Sequence, residues 1–208
     1  MDFNYKHVLN SDDYLTLSFN GYHTRYDAAI YDRLSFPSGT PNSAKENYIM
    51  GFSSTYQKDT NKFVVSYQQN TGNNGYDYAI AGDGGGTLYI ANSLLSDFNG
   101  NNEKSLQLQY TKDFSKLGIA GLTWTTAYVY GWDICVDKTV QGQKLLTNNA
   151  TEREFFNQMI YTVQEGALKN LSFKVRNSIY RASPEYSQTY IGDTNEWRIF
   201  VEYPISIF

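Results

Sequence analysis

Apolar and polar residues alternate with a period of two in strand-length segments along most of the chain. Three segments show this most clearly, with apolar side chains at Leu15, Leu17 and Phe19, at Phe63, Val65 and Tyr67, and at Leu106, Leu108 and Tyr110. Mostly polar residues occupy the intervening positions, with Val64 as an apolar exception. Successive side chains of a β-strand point to opposite faces, so these segments are predicted to be strands with one apolar and one polar face.

The connections between the predicted strands are of two lengths. Short joints fall at residues 10–13, 59–61, 115–121 and 165–168, whereas long polar stretches follow Asp27, Asn70, Asp133 and Ser183. If each strand reverses direction, all the long joints lie on one rim of the sheet and the short ones on the other. This pattern predicts an all-β fold, an antiparallel up-and-down transmembrane β-barrel with about nine strands in this chain.

Two segments near the C-terminus indicate which face carries the cations. Lys174 and Arg176 alternate with apolar residues of one segment, and Arg198 alternates with apolar residues of the next. A cation facing lipid at the bilayer midplane costs about 2–4 kcal/mol. The three cations are therefore predicted to face the interior of a barrel.

The composition is compatible with a membrane-embedded sheet but does not distinguish it from a soluble one. The 208 residues have a mean hydropathy of -0.51, 19 tyrosines and 18% charged residues, a charged fraction below the ordinary value of about 25%. No apolar run approaches the roughly 18 residues of a membrane helix. A soluble antiparallel sandwich, serving as a carbohydrate- or protein-binding module through exposed tyrosines, remains an alternative. The separation of loop lengths by rim favours the barrel.

Several functional classes find little support in the sequence. The net charge of -4 and pI near 5.2 argue against a general nucleic-acid surface. Cys135 is the only cysteine, and His7 and His23 have no nucleophile arranged beside them, so neither an enzyme nor a metal site is predicted. No cofactor is expected either. The glycine cluster at residues 82–86 lacks the Gly-Lys-Ser/Thr ending of a phosphate loop and is predicted to be flexible.

The strand count predicts that the barrel is larger than this chain. Single-chain bacterial barrels have even strand numbers and must close to satisfy their backbone hydrogen bonds. Met1 also leads directly into Asp2 without the charged start and apolar run of a secretory signal. We therefore expect further N-terminal sequence.

Three ordered stretches resemble the OprD-type family of substrate-specific outer-membrane porins. They are Ile-Ala-Asn-Ser at residues 90–93 with its continuation to residue 105, Gly-Ile-Ala-Gly-Leu-Thr-Trp at 118–124, and residues 163–176 followed by Asn195-Glu196 and the ending at 203–208. The resemblance covers essentially the whole chain as the family's C-terminal half. Ala127 and Ile160 depart from it, because charged or polar wall residues are expected there.

The resemblance implies a fold and a function. Residues 1–208 would be the C-terminal half of a single 18-stranded barrel domain that lets small water-soluble solutes diffuse passively. The solutes would often carry a carboxylate and would pass a ladder of wall cations formed by Lys174, Arg176 and Arg198. The structural alternative for each cation is an ion pair with a wall carboxylate, for instance Glu202 near Arg198. An oligosaccharide-specific porin is the alternative within the family.

The resemblance also implies channel-lining residues and partners. Tyr76, Asp77 and Tyr78 are candidates to line the channel from the long loop that narrows it. The protein would lie in the outer membrane of a Gram-negative bacterium, against lipid and lipopolysaccharide, as a monomer when complete. The terminal Phe208 resembles the signal that the barrel-assembly machinery reads.

Overall fold

In the part of the chain that the structure describes, nine β-strands form one antiparallel sheet whose spatial order is the order of the chain. The computed structural model describes residues 1–26, 45–73, 75–76 and 90–204. The strands are β1 (Asp2–Val8), β2 (Asp13–Tyr26), β3 (Lys45–Lys58), β4 (Asn61–Gly72), β5 (Lys104–Asp113), β6 (Leu122–Val140), β7 (Gln143–Thr162), β8 (Ser172–Ala182) and β9 (Thr194–Glu202). The up-and-down all-β architecture predicted from the alternation is confirmed.

The connection between β6 and β7 differs from the prediction. A long loop was expected after Asp133, but β6 continues through register shifts around Ile134 and remains paired with β7 up to Val140. Gln141 and Gly142 form the turn, both with positive φ angles, of 50° and 82°. Positive φ angles at both central residues give a two-residue turn whose twist matches that of the two flanking strands. This part of the long-loop rim is therefore an extended hairpin.

A short helix packs against the base of that hairpin. Helix α1 (Pro184–Ser187) follows β8 and presents the buried ring of Tyr186. The ring packs on Ile134, Val136 and Ala150. This small apolar cluster fixes the connection between β8 and β9 over the end of the sheet. None of the described helices is long and apolar enough to cross a membrane.

The distribution of side chains is the reverse of that in a soluble protein. Apolar side chains on one face are exposed, with Leu108 at 54% and Ile199 at 76%. On the other face Gln68 and Gln107 are 1% and 4% exposed, and Ser66 and Ser105 are fully buried. A sheet with an apolar exposed face and a polar covered face is suited to lipid on one side and a polar interior on the other.

Aromatic pairs lie towards both ends of the apolar face. Trp124, close to the short-turn rim, meets Tyr110 edge-on at 6.1 Å, and Trp132 stacks on Tyr130 at 6.0 Å between ring centroids. The two tryptophans are eight residues apart on β6, which corresponds to roughly 27 Å of strand. That spacing agrees with the two aromatic girdles that border the apolar band of an outer-membrane barrel.

Candidate functional site

A segment without regular secondary structure covers the polar face of the sheet. We call residues 90–103 the inner segment. Gln68 on β4 donates from its side-chain amide to the carbonyl oxygens of Phe98 and Asp97, at 2.8 and 3.0 Å. Asn70, two residues further on the same face, donates to the carbonyl of Asn99 at 2.8 Å. Alternate residues of one strand thus hold successive peptide groups of the inner segment.

Strand β7 supplies two carboxylates to the same segment. Glu154 accepts hydrogen bonds from the backbone N–H groups of Leu95 and Ser96, each at 3.0 Å to Oε2. Glu152 accepts the hydroxyl hydrogen of Ser96 at 2.7 Å. Phe98 lies beyond this point and is fully buried. Ser105 on β5 also accepts a hydrogen bond from Asn92 at 2.8 Å, so side chains from three strands, β4, β5 and β7, fasten the segment to the wall.

The C-terminal end of the inner segment carries a third buried carboxyl group. Glu103 accepts the N–H of Gly100 at 2.7 Å, and its own carbonyl accepts the N–H of Asn70 at 2.8 Å. Its side chain packs against Glu152 over Gly131, which has no side chain. Burial first, and then the neighbouring Glu152, raise the pKa of Glu103 well above its ordinary value.

The three predicted ladder cations lie on the polar face, but their contacts differ. Lys174 forms an ion pair with Glu202 at 3.2 Å, and Arg198 forms one with Glu196 at 2.7 Å. The ion-pair alternative therefore applies to two of the cations, although Glu202 pairs with Lys174 rather than with Arg198. Their role in solute passage stays a prediction.

Arg176 makes a different set of contacts. Its Nε donates to the side-chain oxygen of Gln158 at 2.7 Å. The guanidinium carbon lies 5.8 Å from the ring of Phe156 and 5.7 Å from that of Phe200. Among the described residues no carboxylate forms an ion pair with Arg176. Since guanidinium groups have five N–H donors, most of its hydrogen-bonding capacity is left for water or a solute.

A cavity of about 470 Å³ lies between the inner segment and the wall of β2 to β5. Its lining includes Lys62, Tyr14, Gln107, Gln109 and Leu94. Lys62 lies on the same line of paired residues as Arg176, which runs through Thr111, Thr125 and Gln158. The polar face therefore carries cations along this line on both sides of the sheet's centre.

The predicted channel-loop residues are only partly described. Tyr76 is 4% exposed and packs with Ile49 and Ile90. Its role in lining the channel stays a prediction. Asp77 and Tyr78 lie outside the described residues, as does Phe208. In the described part of the chain, no group of three or more His, Cys, Asp or Glu residues is arranged to hold a metal ion.

Sequence reasoning missed the residues that fasten the inner segment. Glu152 and Glu154 alternate with Arg153 and Phe155, so their spacing could have placed both carboxylates on one face of a strand. Gln68 follows Tyr67 and so falls on the predicted polar face, but its position in the sequence does not show that it contacts the inner segment. In each case the sequence signal is a polar residue on the predicted polar face whose side chain is long enough to reach a segment that lies against that face.

Comparison with known proteins identifies the family. The family model described as outer membrane porin, OprD family, matches residues 1–207. Porin D of Pseudomonas aeruginosa is 32% identical over 221 residues, which cover 98% of this chain and 46% of Porin D. The crystal structure of OccAB1 from Acinetobacter baumannii has a TM-score of 0.86 and 46% identity, over 100% of this chain and 50% of that one.

A second solved structure gives the same result. The improved crystal structure of Pseudomonas aeruginosa OprD has a TM-score of 0.77 and 31% identity, over 100% of this chain and 53% of that one. The chain spans about half the length of these relatives. The apolar face is thus the one that meets the lipid of the outer membrane, and the polar face is the one that lines the lumen. The chain belongs to the OprD family of outer membrane porins.

Proposed function

We propose that the nine strands form half of an 18-stranded barrel through which small water-soluble solutes diffuse passively. The sheet order leaves β1 and β9 at its edges, and unpaired strand edges are not tolerated in hydrocarbon. The relatives are about twice as long as the matched region, which supports a further set of strands of similar size.

The polar lining supports passage of hydrated solutes. Amide and hydroxyl groups cover the lumen face, and the inner segment narrows the lumen by lying against it. Solutes in such a pore exchange part of their hydration for wall contacts, which must be weak enough to let them leave. Ser93 and Asp97 of the inner segment keep part of their surface exposed, so both can meet a passing solute.

We further propose that the solutes carry a carboxylate and that Arg176 is the principal wall contact for it. The observation that carries this proposal is the guanidinium of Arg176, which faces the lumen with Gln158 as its hydrogen-bond acceptor and without a carboxylate partner in the described chain. A guanidinium can form paired charge-assisted hydrogen bonds with a carboxylate. Lys174 and Arg198 are already paired with wall carboxylates and contribute less.

Replacement of single cations in the complete barrel tests this assignment. We expect Arg176→Gln to lower the permeability for benzoate relative to its neutral analogue benzamide. Liposome swelling measures the permeability for both solutes, and the reversal potential measures it for the benzoate anion. Lys174→Gln and Arg198→Gln are matched controls, because each removes one positive charge from the same face. Both should change the benzoate-to-benzamide ratio less than Arg176→Gln.

Two results would contradict the proposal at different levels. An unchanged ratio in Arg176→Gln removes Arg176 from the pathway but leaves a diffusion pore. No conductance from a correctly refolded barrel argues against the pore itself. Heat-modifiable migration on a gel, measured on each sample, establishes that the barrel has folded.

A further inference from the structure

We propose that Glu103 and Glu152 share one proton and that this proton fastens the inner segment to the lumen wall. The inference goes beyond the proposed function. It rests on that function only where conductance is used as a measurement. Glu103 and Glu152 would act as positioning residues, because they would set the shape of the constriction without contacting the solute.

The two carboxyl groups are buried and lack a compensating charge. Glu103 is fully buried and Glu152 is 1% exposed. Within the described chain no lysine, arginine or histidine forms an ion pair with either group. Their Oε1 atoms receive no hydrogen bond from the described residues, while each Oε2 already accepts one, from Gly100 and from Ser96.

Two adjacent ionised carboxylates are not stable in such a place. Each would lose its hydration, and the pair would repel across a short distance of low dielectric. A single proton removes one charge and lets one carboxyl group donate a hydrogen bond to the other, which gives each group the donor or acceptor that it lacks. The protons of such a pair belong to the pair as a whole.

The surrounding groups do not supply a cation. The titratable and polar groups near the pair are Glu154 on β7, Tyr180 on β8, Tyr186 on α1, Tyr190 after α1, and Ser96 of the inner segment. Strand β6 contributes Gly131, whose missing side chain leaves room for the pair. In the described chain these ionisable neighbours are carboxylic acids and tyrosines, so none of them supplies a positive charge to offset the pair.

Glu154 is held in a different way and is not part of the pair. Its two oxygens face the backbone N–H groups of Leu95 and Ser96. These donors satisfy an ionised carboxylate directly. Replacing Glu154 therefore removes an anchor but leaves the shared proton in place.

The shared proton connects two distant points of the inner segment. Glu152 holds Ser96 through its hydroxyl, and Glu103 holds Gly100 through its N–H. A hydrogen bond between the two carboxyl groups closes this connection, so the stretch between Ser96 and Gly100 is fixed at both ends. Loss of the proton would place two repelling charges behind the stretch and displace it towards the lumen.

The direction of the pH dependence follows from the proton balance. The folded protein retains a proton that the unfolded chain releases near the ordinary glutamate value of 4.5. The contribution of Glu103 to stability is complete below that value and decreases as the pH rises towards the raised pKa of Glu103 in the folded protein. The inner segment should therefore be held less firmly against the wall on the alkaline side.

Infrared spectroscopy on the refolded barrel tests the shared proton directly. At neutral pH we expect the carbonyl stretch of a protonated carboxyl group in the wild type, a changed frequency in Glu152→Gln and in Glu103→Gln, because an amide replaces the carboxyl partner, and loss of the band when both residues are replaced. Glu154→Gln and Glu165→Gln should retain the band unchanged; Glu165 lies exposed in a short turn. A wild type without the band, an unchanged band in both single variants, or a band that persists in the double variant would overturn the proposal.

Single-channel recording tests the consequence. The wild-type conductance should change as the pH is raised from about 5 to about 9. This range stays below the ordinary pKa of tyrosine, so ionisation of tyrosines does not contribute to the change. Replacing both Glu103 and Glu152 by Gln should abolish that change, because no carboxyl group of the pair is left to titrate. The same change in this double variant as in the wild type would refute the positioning role. Since the infrared band does not depend on conductance, its loss and a failure to conduct are separate outcomes.

Discussion

The orientation of the two faces can be tested with one charge placed on either side of β5. Leu108 and Gln109 are adjacent near the middle of this strand. Leu108 is 54% exposed on the apolar face, while Gln109 lies on the lumen face and borders the cavity. Leu108→Lys puts an ammonium group into lipid, and Gln109→Lys puts the same group, at the same depth, into the polar lumen.

The expected difference is several kcal/mol. A lysine at the bilayer midplane costs about 2–4 kcal/mol. Complete transfer of a leucine side chain from water to an apolar environment is worth about 1.5–3 kcal/mol. About half of the Leu108 side chain contacts lipid, so removing this contact costs about 1 kcal/mol more. Leu108→Lys should therefore lower the free energy of unfolding by about 3–5 kcal/mol, whereas Gln109→Lys should lower it by less than about 1 kcal/mol.

Urea-dependent unfolding of the complete barrel in lipid vesicles measures both values. Tryptophan fluorescence reports the transition, because all three tryptophans, at positions 124, 132 and 197, lie in strands β6 and β9. Equal destabilisation by the two substitutions, or a larger effect of Gln109→Lys, would refute the assignment of the faces.

Two further substitutions probe the attachment of the inner segment. Gly131→Ala would add a methyl group that overlaps Glu103, with an overpacking cost of about 1–3 kcal/mol. Hydrogen exchange in residues 96–103 should become faster. Unchanged exchange would contradict the close contact between Gly131 and Glu103. Gln68→Ala leaves the carbonyls of Asp97 and Phe98 without their donor, at a cost of about 1–3 kcal/mol. Its unfolding midpoint should fall, and a midpoint equal to that of the wild type would show that Gln68 is not an anchor.

The sheet could be predicted from the sequence because its signal is local. Apolar residues at alternate positions define the strands, and the same alternation placed Lys174, Arg176 and Arg198 opposite the apolar side chains. The prediction failed beyond Asp133 because β6 and β7 continue there with Asp137, Thr147 and other polar residues on their surfaces. A strand that is polar on its exposed positions has the composition of a loop.

The arrangement at the lumen wall could be predicted only in part, because it depends on contacts between distant residues. Glu103 and Glu152 are far apart in sequence and meet only when β5, β6 and β7 are in register. Similarly, the register between β8 and β9 places Glu202 opposite Ser172, within reach of Lys174. The spacing and the composition of the sequence do not reveal which residues of neighbouring strands are paired.

The surface beneath the inner segment is itself rich in amides and hydroxyls, and this has a consequence for how such proteins can diversify. Displacing the segment would uncover Gln68, Ser66 and Ser105, which water solvates well, together with a smaller apolar surface that includes Ala127 and Val129. Mutations could therefore reshape the passage while the lipid-contacting half of every strand stays as it is. Permeability and membrane insertion would then be tuned by separate sets of residues.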